Sequence, residues 1–191
     1  MKITECQILF TSSLSTTRIS ALEGTHYNKI AASVIQMACA YESDGIRFFE
    51  SCDPVNALAS YYYGFGWLHF GLSSGLLLVT CPSVCPFKEP HEMLQLPFRQ
   101  KLEEKASRYG QLLEIARKSV KYAPDPATTS HDFAQRILCI AGVYARRGVC
   151  LERSGNHEDA LASFSYGHGW LDAGVTSGFF HILAERDLFT V

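Results

Sequence analysis

His168 and Asp172 are four residues apart on a stretch with helical character, so their side chains share a face. A carboxylate beside an imidazole orients the ring and favours its protonated form. That pairing suits a general base or a metal ligand. It equally suits an ordinary ion pair on a helix. Tyr166 and Trp170 flank it, and an upstream segment offers Trp67 and His69. These six residues are the candidate ligand-binding positions. No catalytic residue is assigned, because no serine or cysteine nucleophile sits in a recognisable motif. Walker-type loops, the dinucleotide fingerprint, HExxH and GxSxG are all missing from the sequence. Their absence argues against the common enzyme classes but not against a novel one, so the expectation leans away from an enzyme and stays open.

Cys81, Cys85 and His91 could supply three metal ligands, but the spacing is loose and no second cysteine pair follows. The expectation is free thiols with no metal and no cofactor. Seven cysteines is an odd count, and the segment from Met1 to Leu14 is too polar for a secretory signal. Both point to a cytoplasmic location.

The elements that must position these groups are drawn twice. Tyr63-Gly-Phe-Gly-Trp-Leu-His-Phe-Gly71 matches Tyr166-Gly-His-Gly-Trp-Leu-Asp-Ala-Gly174, and Ala57-Leu-Ala-Ser60 matches Ala160-Leu-Ala-Ser163. Each pair is offset by 103 residues. From Tyr41 to Leu77, 15 of 37 positions are identical at that offset. A tandem duplication follows. Upstream, Ile30, Val34, Met37, Tyr41, Gly45 and Phe48 make one amphipathic face. Phe133, Ile137, Ile140, Tyr144, Gly148 and Leu151 repeat it. Thr25, Thr128, Asp53 before Pro54, and Asn156 are the expected helix caps.

Each unit reads as three helices, over about 2–21, 26–50 and 54–80, then 98–122, 129–153 and 157–186. No period-two alternation is sustained. The expected fold is all-α, a tandem pseudo-symmetric pair of three-helix units forming a six-helix bundle. The first repeat is 1–80, a Pro-rich connection with Pro82, Pro86, Pro90 and Pro97 is 81–97, and the second repeat is 98–191.

The third helices are rich in glycine: Gly64, Gly66, Gly71 and Gly75 in one, and Gly167, Gly169, Gly174 and Gly178 in the other. Each glycine inside a helix costs about 1 kcal/mol relative to alanine. Gly64, Leu68, Gly71 and Gly75 fall on one face, which lets a neighbour approach closely. That neighbour is either the other third helix or the unit's own second helix; the functional alternative is a ligand groove. Val55 to Phe87 holds no Asp, Glu, Lys or Arg and is long enough for a membrane span. Its counterpart carries His168 and Asp172, so a buried core helix is expected and no membrane contact.

The motif Tyr166-Gly-His-Gly-Trp-Leu-Asp-Ala-Gly174, after Gly155-Asn-His-Glu-Asp-Ala-Leu-Ala162, resembles an archaeal helical family, domain of unknown function family 357. The first copy departs from that pattern at Cys52-Asp53-Pro54 and His69-Phe70. The resemblance implies a soluble archaeal helical protein and brings no activity with it. If single-unit relatives pair as homodimers, this chain is an internal pseudo-dimer.

The net charge is −2, yet 11 of the 17 Lys and Arg lie between Arg99 and Arg153. A basic face on the second repeat would suit RNA or an acidic protein, while the interleaved Glu103, Glu104 and Glu114 suit an ordinary solvated helix face. The leading expectation is a binding or scaffolding module for a protein or RNA partner, with homo-oligomerisation left open. The alternative is a small-molecule binder or cryptic enzyme with its site between the third helices. A pocket lined by the six candidates would favour that alternative. A tight interface with His168 and Asp172 in solvent would favour the module.

Overall fold

In a computed structural model of the chain, residues 1–80, 86, 87 and 89–190 are described. Six helices dominate: α1 (Ile3–Ser15), α2 (His26–Glu50), α3 (Pro54–Ser73), α4 (Leu96–Lys118), α5 (Thr129–Arg153) and α6 (His157–Thr176). The fold is all-α, and four three-residue strands decorate it. These are β1 (Thr17–Ile19), β2 (Leu77–Val79), β3 (Val120–Tyr122) and β4 (Phe180–Ile182).

The bounds of α2 and α5 differ by 103, as do those of α3 and α6, of β1 and β3, and of β2 and β4. Only α4 departs, beginning ten residues earlier than the start of α1 requires. The caps lie where the sequence puts them. Thr25 accepts from the Asn28 amide and Thr128 from the His131 amide, while Asp53 and Asn156 cap α3 and α6.

Four of the expected helices run too far. The first ends at Ser15, the third at Ser73, the fourth at Lys118 and the sixth at Thr176. Gly75 and Gly178 do not extend the glycine face of a helix. They stand just past the end of α3 and α6 at φ 75° and 82°, where the left-handed conformation stops the helix. The chain then turns into β2 or β4. Thr17 pairs with Val79 and Ile19 with Leu77, antiparallel; Val120 pairs with Ile182 and Tyr122 with Phe180 in the second copy. Three residues are too few to display an alternating pattern, so these strands are invisible to periodicity. They fasten the end of each third helix to the end of each first helix.

The core is built around α3 and α6. Every residue of α6 from Glu158 to Val175 is buried, and α3 is buried over most of its length. A helix buried all round must have neighbours on every side. α1 and α2 cover α3, α4 and α5 cover α6, and α3 lies against α6. Val55–Ser73 of the charge-free run lies in the core helix α3, and no helix among the described residues is long and apolar enough to cross a membrane.

Candidate functional site

The third helices meet at two glycines. A Cβ on Gly66 would lie 2.6 Å from the carbonyl oxygen of Tyr166, and one on Gly169 would overlap the carbonyl of Tyr63. Backbone touches backbone, so no ligand fits between the helices at this crossing. Gly64 and Gly71 face their own unit instead. Gly64 lies under the Phe10 ring and Gly71 against Leu77 and Val34. The small-residue face thus serves both kinds of contact.

The crossing is antiparallel, so residues three before one glycine meet residues three after the other. The Tyr63 hydroxyl donates to Asp172 Oδ2 at 3.0 Å. At the symmetric place the Tyr166 hydroxyl and His69 Nδ1 are 2.9 Å apart. One tyrosine therefore reaches across in each direction, to a carboxylate in one copy and an imidazole in the other. Burial pushes the His69 pKa down to about 4, so at neutral pH the ring is uncharged. Burial, and then the Asp172 charge, drive the Tyr63 hydroxyl well above its ordinary value, which keeps it a donor.

His168 and Asp172 are both buried, at 6% and 0% exposure. Among the described residues no ion pair joins them. His168 Nε2 lies 3.1 Å from the Leu188 carbonyl oxygen and donates to it. Asp172 accepts from the Thr190 amide at 2.8 Å and the Thr190 hydroxyl at 2.6 Å. Burial lowers the His168 pKa, against the pull of the Asp172 charge and the Leu188 bond. The segment after β4, with its turn at Arg186–Leu188, is thus strapped over the end of the α3–α6 crossing. The interface is tight, but His168 and Asp172 are not in solvent as the module outcome required, because this strap covers them.

Trp67 and Trp170 are core residues at 0% and 3% exposure. Their indole nitrogens have no hydrogen-bond partner among the described residues. Both rings lie within the core. Of the six candidates, the structure joins His69 with Tyr166 and leaves Asp172 to two residues outside the set, Tyr63 and Thr190. Those two are the ones that sequence reasoning misses. Knowing that the third helices cross at Gly66 and Gly169 would have located Tyr63; nothing in the sequence announces Thr190.

Cys81 and Cys85 lie outside the described residues. His91 is placed, and its partners are not metal-like. Its Nδ1 is 2.6 Å from Asp159 Oδ1, its amide donates to the same oxygen, and its Nε2 is 3.2 Å from the Tyr62 hydroxyl. That hydroxyl donates to the Pro86 carbonyl at 2.5 Å. Burial works to raise the Asp159 pKa, but bonds from His91 and Asn156 outweigh it and hold the carboxyl below its usual range. Glu158 accepts from the Leu94 amide at 2.7 Å. The start of α6 therefore grips the connection between the two repeats. Among the described residues no group of three His, Cys, Asp or Glu could hold a metal ion. Cys6 is buried, and its thiol is pushed far up by that burial, so it is not a nucleophile at neutral pH.

No curated protein and no solved structure matches the chain. A family model described as "Protein of unknown function (DUF357)" matches twice, over residues 8–77 and 108–180. The first match runs from within α1 to the start of β2, and the second from within α4 to the start of β4. Together they take in most of the chain and restate the duplication seen in its helices, caps and strands. The chain belongs to the DUF357 family as a tandem pair of its domain.

Proposed function

We propose that the chain is a binding module whose partner is an RNA, held on the outer face of α4 and α5. One observation carries this reading: the two outer layers share a shape but not a charge. Arg136, Arg146 and Arg153 are exposed along α5, where α2 has Ser33, Ser43 and Glu50 at the same positions. Arg108 on α4 stands where α1 has Glu5. The acids that balance these cations in the overall count are partly hidden, since Glu158, Asp159 and Asp172 are buried in α6. Glu114 is taken by Arg117 at 2.5 Å, while Glu103, Glu104 and Asp132 remain exposed among the cations. The formal charge of −2 therefore understates the positive field on this side. Guanidinium groups suit phosphate oxygens better than lysine does.

The units at 1–80 and 98–191, joined by 81–97, act in this reading as one pseudo-dimeric scaffold that presents a single basic layer. Five free thiols among the described residues support a cytoplasmic location. The archaeal setting rests on the family resemblance. A site between the third helices is disfavoured by the backbone contact at Gly66 and Gly169.

Fluorescence anisotropy with a labelled single-stranded RNA, over a range of salt, tests the reading. The triple variant Arg136→Ser, Arg146→Ser, Arg153→Glu restores the first-repeat residues. It should weaken binding at least tenfold and reduce the salt slope by about two. Binding unchanged by these substitutions, or an acidic protein binding where RNA does not, overturns it.

A further inference from the structure

We propose that the cleft between α2, α3, α4 and the segment 187–190 is a binding site for a small organic ammonium ion, with Tyr41, Tyr63 and Tyr109 as its aromatic walls and Asp187 as its counter-ion. The cleft has a volume of about 240 Å³. No lysine or arginine lines it. The rings of Tyr41 and Tyr63 are in tilted contact, with centroids 4.5 Å apart at 35°, and the His168 ring lies 5.4 Å from Tyr63. Tyr109 already holds the Lys105 ammonium 4.8 Å from its ring centre on one face. Tyrosine faces attract cations through the ring quadrupole, and several faces around one space are how quaternary and primary ammonium groups are recognised.

Charge points the same way. Asp172 lies just beneath the cleft, joined to it through Tyr63 and Thr190, both of which line the space. It is fully buried, and among the described residues its partners are neutral donors only. The nearby His168 is driven toward its neutral form by burial. A buried carboxylate without a cation projects its field into the adjoining space. Asp187, exposed at the rim, adds a second negative charge.

The other repeat supplies an internal precedent. Tyr144 and Tyr166 stand where Tyr41 and Tyr63 stand, with centroids 4.4 Å apart. There the place of Thr190 is taken by Phe87, which packs on both tyrosines at 5.0 and 5.2 Å. The chain lays its own cation on that cluster, the Arg147 guanidinium 4.3 Å from the Phe87 centroid. The equivalent of Arg147 in the first repeat is Asp44, so no such cation is provided beside Tyr41 and Tyr63. The tyrosine pair is built twice, but the ring that carries the guanidinium, Phe87, is replaced by Thr190 in the first repeat, where the chain's own cation is instead Lys105 on Tyr109 and two carboxylates stand nearby. The volume suits a ligand of a few heavy atoms. None of this depends on the RNA reading.

The test is NMR of the full chain labelled with 13C in its tyrosine rings, titrated with butylammonium and with its neutral analogue butanol. Butylammonium should give saturable shifts of Tyr41, Tyr63 and Tyr109 at about millimolar concentration. Butanol should bind at least tenfold more weakly. Asp187→Asn, a surface change, should weaken butylammonium at least threefold, and Tyr109→Leu should abolish saturation with the remaining spectrum intact. Equal binding of butanol, ammonium shifts that miss all three tyrosines, or an Asp187→Asn variant that binds as wild type overturns the proposal.

Discussion

Tyr63 and Asp172 lie 109 positions apart in the chain and 3.0 Å apart in space. Their bond crosses between the repeats, and its symmetric copy joins Tyr166 to His69. The duplicated helices are thus locked by a pair of reciprocal polar ties around a dry glycine contact. Tyr63→Phe removes a donor from a fully buried carboxylate and leaves the ring in place. The expected loss is about 1–3 kcal/mol of folding stability, read as a lower urea midpoint with an unchanged slope. An unaltered midpoint would mean that Thr190 alone satisfies Asp172.

Gly169→Ala tests the backbone contact. Its added methyl would overlap the Tyr63 carbonyl, which belongs to a helix held on all sides. A peptide group cannot rotate away as a side chain does. The expected cost is about 1–3 kcal/mol, or roughly 2–4 °C in Tm for each kcal/mol in a chain of this size. Gly75→Ala meets nothing in space, and its cost comes from positive φ alone. Calorimetry of both variants separates steric from conformational loss, and a harmless Gly169→Ala would show that the helices can part slightly.

Cys52 adopts φ 59°, a left-handed conformation that β-carbons disfavour. The equivalent position in the second repeat is Gly155, at φ 79°. The turn between second and third helix thus needs this conformation in both copies, and only one copy has the residue that takes it without strain. Cys52→Gly should stabilise the protein by about 1 kcal/mol, since the side chain is exposed and its loss empties no core. Gly155→Ala should destabilise by a similar amount. Thermal melts of the two single variants, shifting in opposite directions, check the pair.

Much of this architecture is readable from the residues. Identities at a constant offset establish the duplication, and Thr25, Thr128, Asp53 and Asn156 cap as their types require. The glycine face is legible only in part. Sequence spacing groups Gly64, Gly71 and Gly75 on one stripe, but Gly75 ends the helix and Gly66, off that stripe, makes the contact that matters. A glycine's role depends on φ and on what lies opposite, and neither is written in its spacing. The candidate site is less legible still. His168 and Asp172 share a helix face, yet each is claimed by the segment 188–190, whose return is a long-range event. The strands were hidden by their length. His91 shows the same limit, because its partner Asp159 is 68 residues away in the chain.

The neutral histidine of the second cross-tie gives the protein a defined acid response. In the unfolded chain His69 takes up a proton near pH 6.5; in the folded protein burial delays this to about 4. Between those values the unfolded state binds more protons, so stability rises with pH across the window. The contribution is complete above about pH 6.5, falls as the pH drops toward 4, and levels off below that. One group with this shift accounts for at most about 3 kcal/mol. His168, lowered in the same direction by burial, adds to the slope. In His69→Asn the side chain still meets the Tyr166 hydroxyl but cannot titrate. Urea unfolding at steps between pH 4.5 and 7.5 should therefore give a flatter dependence for the variant than for the wild type. Parallel curves would show that His69 is protonated in the folded protein too, and that the Tyr166 bond holds an imidazolium instead of a neutral ring.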